Sequence, residues 1–221
     1  ANGNLNMVNR LNNTFLLTWN IEAFVGSGAY RQTSANYQRT LFVPSEWKGK
    51  RLFLRFHGVQ SVADVFINGR HIGDHFGGYT SFAFEITDNV SYGYNNALFV
   101  AVSNSSRSDV LPTSIEENRY GGIYRDVELM VTPENIISPL YYGSEGVLVE
   151  QHIVSRDKAE GVVKVYLSTK ELDHTTLTVR FVGEDGYEVV SRTVKVSKIS
   201  PDRAIEVPFE IVQPQLWSPD K

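Results

Sequence analysis

Short runs in which apolar and polar residues alternate, each closed off by Gly, Asn, Asp or Pro, recur along most of this chain, whereas helical periodicity is scarce. Successive side chains of a strand point to opposite faces, so a run of this kind buries one face and needs a second layer against it. The pattern predicts an all-β fold of packed sheets. A chain of 221 residues exceeds the usual single-domain size, and two sandwich domains account for it better than one.

"YQRTLFV" (37–43) stops at Pro44, and "RLFLRFHGV" (51–59) follows the polar "PSEWKGK", which reads as two strands joined by a loop. In "VADVFINGRHIGDH", Asn68-Gly69 stands between two extended runs. That dipeptide supplies the two positive-φ residues of a type I′ turn, so a tight hairpin is expected. "SFAFEIT" (81–87) places Phe82, Phe84 and Ile86 on one face, and "NALFVAVSN" (96–104) is apolar enough for a buried central strand. Residues 104–119 show no periodic pattern, and a loop of this length is expected to be functional or mobile. The strands before residue 132 fit a sandwich of two antiparallel sheets of jelly-roll type.

"TPENIISPLYYGS" (132–144) carries two prolines and breaks the alternation, so domains are expected over 1–133 and 134–221. Beyond it, "GVLVEQHIVS", "GVVKVYLSTK", "TTLTVRFVG", "YEVVSRTVKV" and "AIEVPFEIV" have the cadence of an immunoglobulin-like sandwich, with Asp185-Gly186 as a hairpin turn. Fewer strands are countable than the roughly seven such a sandwich holds, so the second domain is expected to be truncated at its C-terminal end.

Charge and composition narrow the chemistry. The formal net charge of −4 comes from 25 acidic and 21 basic residues scattered through the chain, with no basic stripe for a phosphate backbone, so no nucleic-acid partner is expected. Zero cysteines exclude disulfides, thiolate metal sites and cysteine nucleophiles. No segment approaches the run of about 18 apolar residues that crosses a bilayer, so no membrane span is expected. A soluble chain is expected, and a periplasmic or secreted bacterial location is compatible with it. The sequons at Asn12 and Asn104 read as chance in an Asn-rich chain.

His71 and His75 would suit one metal ion on a helix, but on a strand four residues separate them by about 13 Å. No metal and no cofactor is therefore expected. His57, His152 and His174 are isolated in the sequence. Trp19 is read as a core or interdomain filler against the alternative of a sugar-stacking platform, and Trp47 as a partly exposed loop residue.

The stretch "YGGIYRDVELMV" (120–131) sets two opposite charges just after a glycine pair that can bend the backbone sharply. Strict alternation places Ile123, Arg125, Val127, Leu129 and Val131 on one face, and Tyr124, Asp126, Glu128 and Met130 on the other. Arg125 then lies on the apolar face. A guanidinium there needs carboxylates or carbonyls for its donors, and it is expected to pin a neighbouring loop.

Together, "FVPSEWKGKRLFLRFHGVQSVADVFINGRHIGDHFGGYTSFAFEIT" and "YGGIYRDVELMVTP" resemble the N-terminal sugar-binding domain of glycoside hydrolase family two, over residues 37–133. "LWSP" (216–219) resembles the segment that closes that family's immunoglobulin-like domain before a catalytic barrel, and "YYGSEGVLVE" is similar to bacterial β-galactosidase-like members. The resemblance implies that acid/base and nucleophile lie in a barrel of about 250 residues, absent from this sequence. Retaining glycosidases need two carboxyl groups about 5 Å apart at one cleft.

It also implies a β-galactoside or related carbohydrate as partner, with the barrel of the same polypeptide, and an oligomeric intact enzyme is compatible with it. Asp126 would reach the sugar pocket, the alternative being an ordinary surface or Arg-paired carboxylate. Thr18 stands before Trp19 where the family commonly carries Asp. The reading is a non-catalytic scaffold and pocket wall of a β-glycosidase. A stand-alone carbohydrate-binding module is the alternative, and it would need an exposed aromatic platform. A purely adhesive β-protein is a third.

Overall fold

The computed structural model of the chain describes residues 7–10, 14–17, 34–111, 121–169, 175–197, 199 and 203–217. Asn12, Trp19, His174 and the 104–119 loop from Pro112 onward lie outside them. The chain is all-β: among the described residues the regular elements are strands, apart from two single 3₁₀ turns, Ser45–Trp47 and Thr87–Asn89. Among the described residues no helix is long and apolar enough to cross a membrane. Two compact units are present, 1–134 with Pro139–Ser144, and Asn135–Ser138 with 145–221.

The first unit contains β1 (Met7–Arg10), β2 (Thr14–Leu17), β3 (Ser34–Val43), β4 (Arg51–Phe56), β5 (Val59–Gln60), β6 (Val62–Ile67), β7 (Arg70–Phe76), β8 (Phe82–Glu85), β9 (Tyr94–Ser103), β10 (Gly122–Ile123) and β11 (Val127–Thr132). One antiparallel sheet runs β1-β2-β11-β4-β8, a second runs β3-β9-β6-β7, and β10 pairs with β5. The sequence alternation sets the packing. Leu41, Val43, Ala63, Val65, Ile67, Leu98, Val100 and Val102 face inward from the second sheet, against Leu52, Leu54, Phe56, Val127, Leu129 and Val131 from the first. This is the two-sheet jelly-roll sandwich expected from the pattern, with "NALFVAVSN" central between β3 and β6.

Two polar devices hold the sandwich in register. Asn68 and Gly69 adopt φ of +52° and +79° between β6 and β7, the two-residue turn that the dipeptide predicts. The Asn68 amide then donates to Asn96 Oδ1 (2.8 Å), while Asn68 Oδ1 accepts from the Ala97 N–H (2.9 Å). Asn96 is fully buried, and its amide donates to the carbonyls of Ser91 and Tyr94 at 3.0 and 3.1 Å. A buried amide is tolerated because its bonding capacity is filled. The second device is Arg51, whose Nε and Nη2 donate to the two Glu85 carboxylate oxygens at 2.9 and 2.7 Å. Such a two-point bond fixes angle as well as distance.

The second unit contains β12 (Ile136–Ile137), β13 (Val147–Val154), β14 (Lys158–Val165), β15 (Leu167–Ser168), β16 (Thr176–Val182), β17 (Glu188–Lys195) and β18 (Ile205–Val212). The sheet β13-β14-β18 packs against the hairpin β16-β17 through Val163, Val165, Val207 and Phe209, with Phe181 over Phe209 at 4.5 Å between ring centroids. Gly186, at φ +81°, and the Asp185 carboxylate, which accepts from the Tyr187 N–H at 3.0 Å, shape the predicted β16-β17 turn. Pro208 lies on β18, whose only partner among the described residues is β14, an edge position where a missing N–H costs no ladder bond.

Candidate functional site

"YGGIYRDVELMV" does not form one continuous strand. Phe56 pairs with Val127 and Val59 with Ile123, so two residues on one side oppose three on the other. The His57 N–H donates to the Asp126 carbonyl at 3.0 Å and the Tyr124 N–H to the Gly58 carbonyl at 3.4 Å. Residue 125 is therefore the one with no opposite number, an extra residue of β-bulge type. This corrects the expectation from strict alternation: Arg125 is exposed, not on the apolar face beside Val127, and its guanidinium lies 5.3 Å from the centroid of the Tyr124 ring. A bulge re-aims side chains on either side of it, and here it turns two charges outward together.

The glycine pair works as a bend, although only Gly122 has positive φ, at +91°. The Tyr37 hydroxyl occupies the space where a Gly122 side chain would sit and accepts from the Ile123 N–H at 3.2 Å. That contact stops β10 where it meets the bulge.

The bulge opens a cleft of about 450 Å³ lined by His57, Arg125, Asp126 and Glu128. Register explains the set. His57 opposes Asp126, and Glu128 opposes Arg55 in the β11-β4 ladder, so the ionisable groups share the face turned away from the core. Glu128 is 13% exposed and its Oε2 lies 3.0 Å from His57 Nε2, an ion-pair distance. Asp126 is exposed. A carboxylate presented to solvent from a main chain held by the His57 N–H can accept hydrogen bonds from hydroxyl groups, and the neighbouring guanidinium can only donate them. Sequence reasoning selected Asp126 and missed His57, which it took as isolated, and Glu128. The signal would have been the pairing of "RFHGV" with "YRDVE", which aligns His57 with Asp126.

The other predicted positions fall elsewhere. His71 and His75 both lie on β7, as expected, but the register shift between Val65 and Phe66 puts them on opposite faces. The His71 ring lies tilted against outward Phe66 at 5.0 Å between centroids, whereas His75 opposes buried Ala63 and stacks on Phe82 at 4.1 Å. Burial pulls the His75 pKa below its ordinary value, against the opposing influence of its Gly77 backbone bond and Asp74. Trp47 is partly buried and packs against the core. Asn104 is buried, which removes that sequon from the accessible surface.

Comparison with known proteins assigns the class first: residues 15–133 match the sugar binding domain of glycosyl hydrolases family 2, and the chain belongs to that family. Two activity names recur among its relatives. A β-glucuronidase from Bacteroides fragilis is 45% identical over 205 residues, which cover 91% of this chain and 29% of the relative. A crystal structure assigned as a β-galactosidase from Bacteroides fragilis is 35% identical with a TM-score of 0.78, over 86% of this chain and 29% of that one. Bacteroides uniformis β-glucuronidase 2, covalently bound to cyclophellitol-6-carboxylate aziridine, is 30% identical with a TM-score of 0.76, over 86% of this chain and 23% of that one. This chain thus spans less than a third of the length of each.

Proposed function

We propose that this chain is the non-catalytic scaffold of a β-glycosidase and that its bulged strand supplies one wall of the sugar pocket, with Asp126 accepting a hydrogen bond from a ring hydroxyl. The observation that carries the reading is the exposed Asp126 carboxylate in a cleft of about 450 Å³, set on a main chain fixed by His57. Glu128 is 13% exposed, with Oε2 3.0 Å from His57 Nε2, whereas Asp126 is exposed. The sugar is a β-glucuronide or a β-galactoside, the two classes named among the relatives. The acid/base and nucleophile come from polypeptide of the kind that makes up the remaining length of those relatives.

The test uses the full-length polypeptide with p-nitrophenyl β-glucuronide and β-galactoside. Loss of a charged hydrogen bond to substrate is worth about 1.5–3 kcal/mol, so Asp126→Ala should lower kcat/KM by about 10- to 100-fold. The melting temperature should move by less than about 2 °C, as for other exposed positions. Unchanged kinetics would remove Asp126 from the site, and hydrolysis of neither glycoside would overturn the wider reading.

A further inference from the structure

An extra residue in a ladder adds two soft dihedrals that no cross-strand partner restrains. A carboxylate that follows such a residue needs another restraint if its direction is to be fixed. The structure holds the bulge from both ends. On the far side of Arg125, the Asp126 carbonyl accepts from the His57 N–H at 3.0 Å. On the near side, the Tyr124 hydroxyl donates to the Gly78 carbonyl at 2.6 Å, tying residue 124 to the loop that follows β7. The end of the Tyr124 ring lies over Gly58: a Cβ there would stand 2.8 Å from Tyr124 Cζ, 2.9 Å from its hydroxyl and 2.9 Å from Arg125 Cδ. With its hydroxyl anchored, the ring cannot withdraw from a new methyl group without breaking the 2.6 Å bond.

We propose that Tyr124, seated on Gly58 and anchored to Gly78, is a positioning residue that sets the direction of the Asp126 carboxylate. The inference rests on the reading of Asp126 given above and adds to it a restraint which never touches the sugar. Tyr124→Phe removes one oxygen and leaves the ring on Gly58 and under the Arg125 guanidinium. Gly58→Ala keeps the hydroxyl and forces the ring.

In the full-length polypeptide, Tyr124→Phe should lower kcat/KM by about fivefold, through kcat and KM together, with little change in melting temperature. Gly58→Ala should lower it by about tenfold or more. The discriminating measurement is a double-mutant cycle. If Tyr124 acts through Asp126, Tyr124→Phe should have no further effect once Asp126 is Ala, whereas independent contributions would add. A silent Tyr124→Phe, or a loss equally large with and without the Asp126 carboxylate, overturns the inference and leaves the Asp126 reading intact. An Asp126→Ala variant with unchanged kinetics overturns both. Tyr124→Phe carries the test even if Gly58→Ala does not fold.

Discussion

The two units are written in the same alternating code and end with different cores. In the first, β4 is buried on both faces: Leu52, Leu54 and Phe56 point into the sandwich, and Arg51 and Phe53 on the other side are covered as well. In the second, burial fades across one sheet face. Val207 and Val163 are buried, but Val149, which opposes Val163 in the ladder and shares its face, is 52% exposed. Both positions carry valine; coverage differs. Alternation says which side of a strand is apolar, and only the opposing layer decides whether that side leaves water.

Core truncation should separate the units most sharply. The Phe56 ring is fully buried and stacks on Phe82 at 4.7 Å. Phe56→Ala should cost about 4 kcal/mol by urea unfolding, whereas Val149→Ala should cost less than about 0.5 kcal/mol. Comparable losses would show that the sheet face at β13 is covered in solution.

Ion pairs give the next contrast. Arg51 is nearly buried and meets Glu85 at two points, although Glu85 is 31% exposed and partly screened. Arg51→Met should cost about 2 kcal/mol, below the range for a fully buried pair. Lys164 bridges Glu150 at 2.6 Å in a more open setting, and Lys164→Met should cost less than about 1 kcal/mol. Equal costs, or a strong salt dependence at Arg51, would break the comparison.

The smallest effect is a pH dependence confined to the first unit. Burial lowers the His75 pKa, so the folded state favours the neutral ring. The unfolded chain then binds the proton first. Stability from this group is complete above the unfolded value of about 6.5 and falls as pH drops through it toward the folded value. Replacing His75 by Asn should flatten that shallow loss in a series of urea midpoints. An unchanged slope would assign it to other groups.

Most strands were legible because each is bounded by residues with a mechanical reason to end it. Pro44 closes β3, Asn68-Gly69 supplies the two positive-φ residues of a tight hairpin turn, and Asp185-Gly186 shapes the last hairpin. What the local pattern does not encode is where a ladder gains a residue. Strict alternation put Arg125 on the apolar face, and that reading failed at a bulge; a register shift likewise sets His71 and His75, four residues apart on β7, on opposite faces. Pairing between residues almost 70 positions apart decides whether a side chain keeps its parity. For the same reason Asp126 could be singled out from a family motif, whereas its neighbour His57 could not: a histidine next to a glycine carries no local mark of the strand that will lie beside it.

The odd residue at 125 also sets different tolerances for two kinds of change. Altering the side chain there modifies the rim of the cleft and leaves the sheet intact. Deleting it would let the ladder close without a step, with Ile123 still opposite Val59 and Val127 opposite Phe56, and would remove the main-chain kink that sets the direction of the Asp126 side chain. Residue number between Ile123 and Val127, more than residue type, sets the shape of this segment.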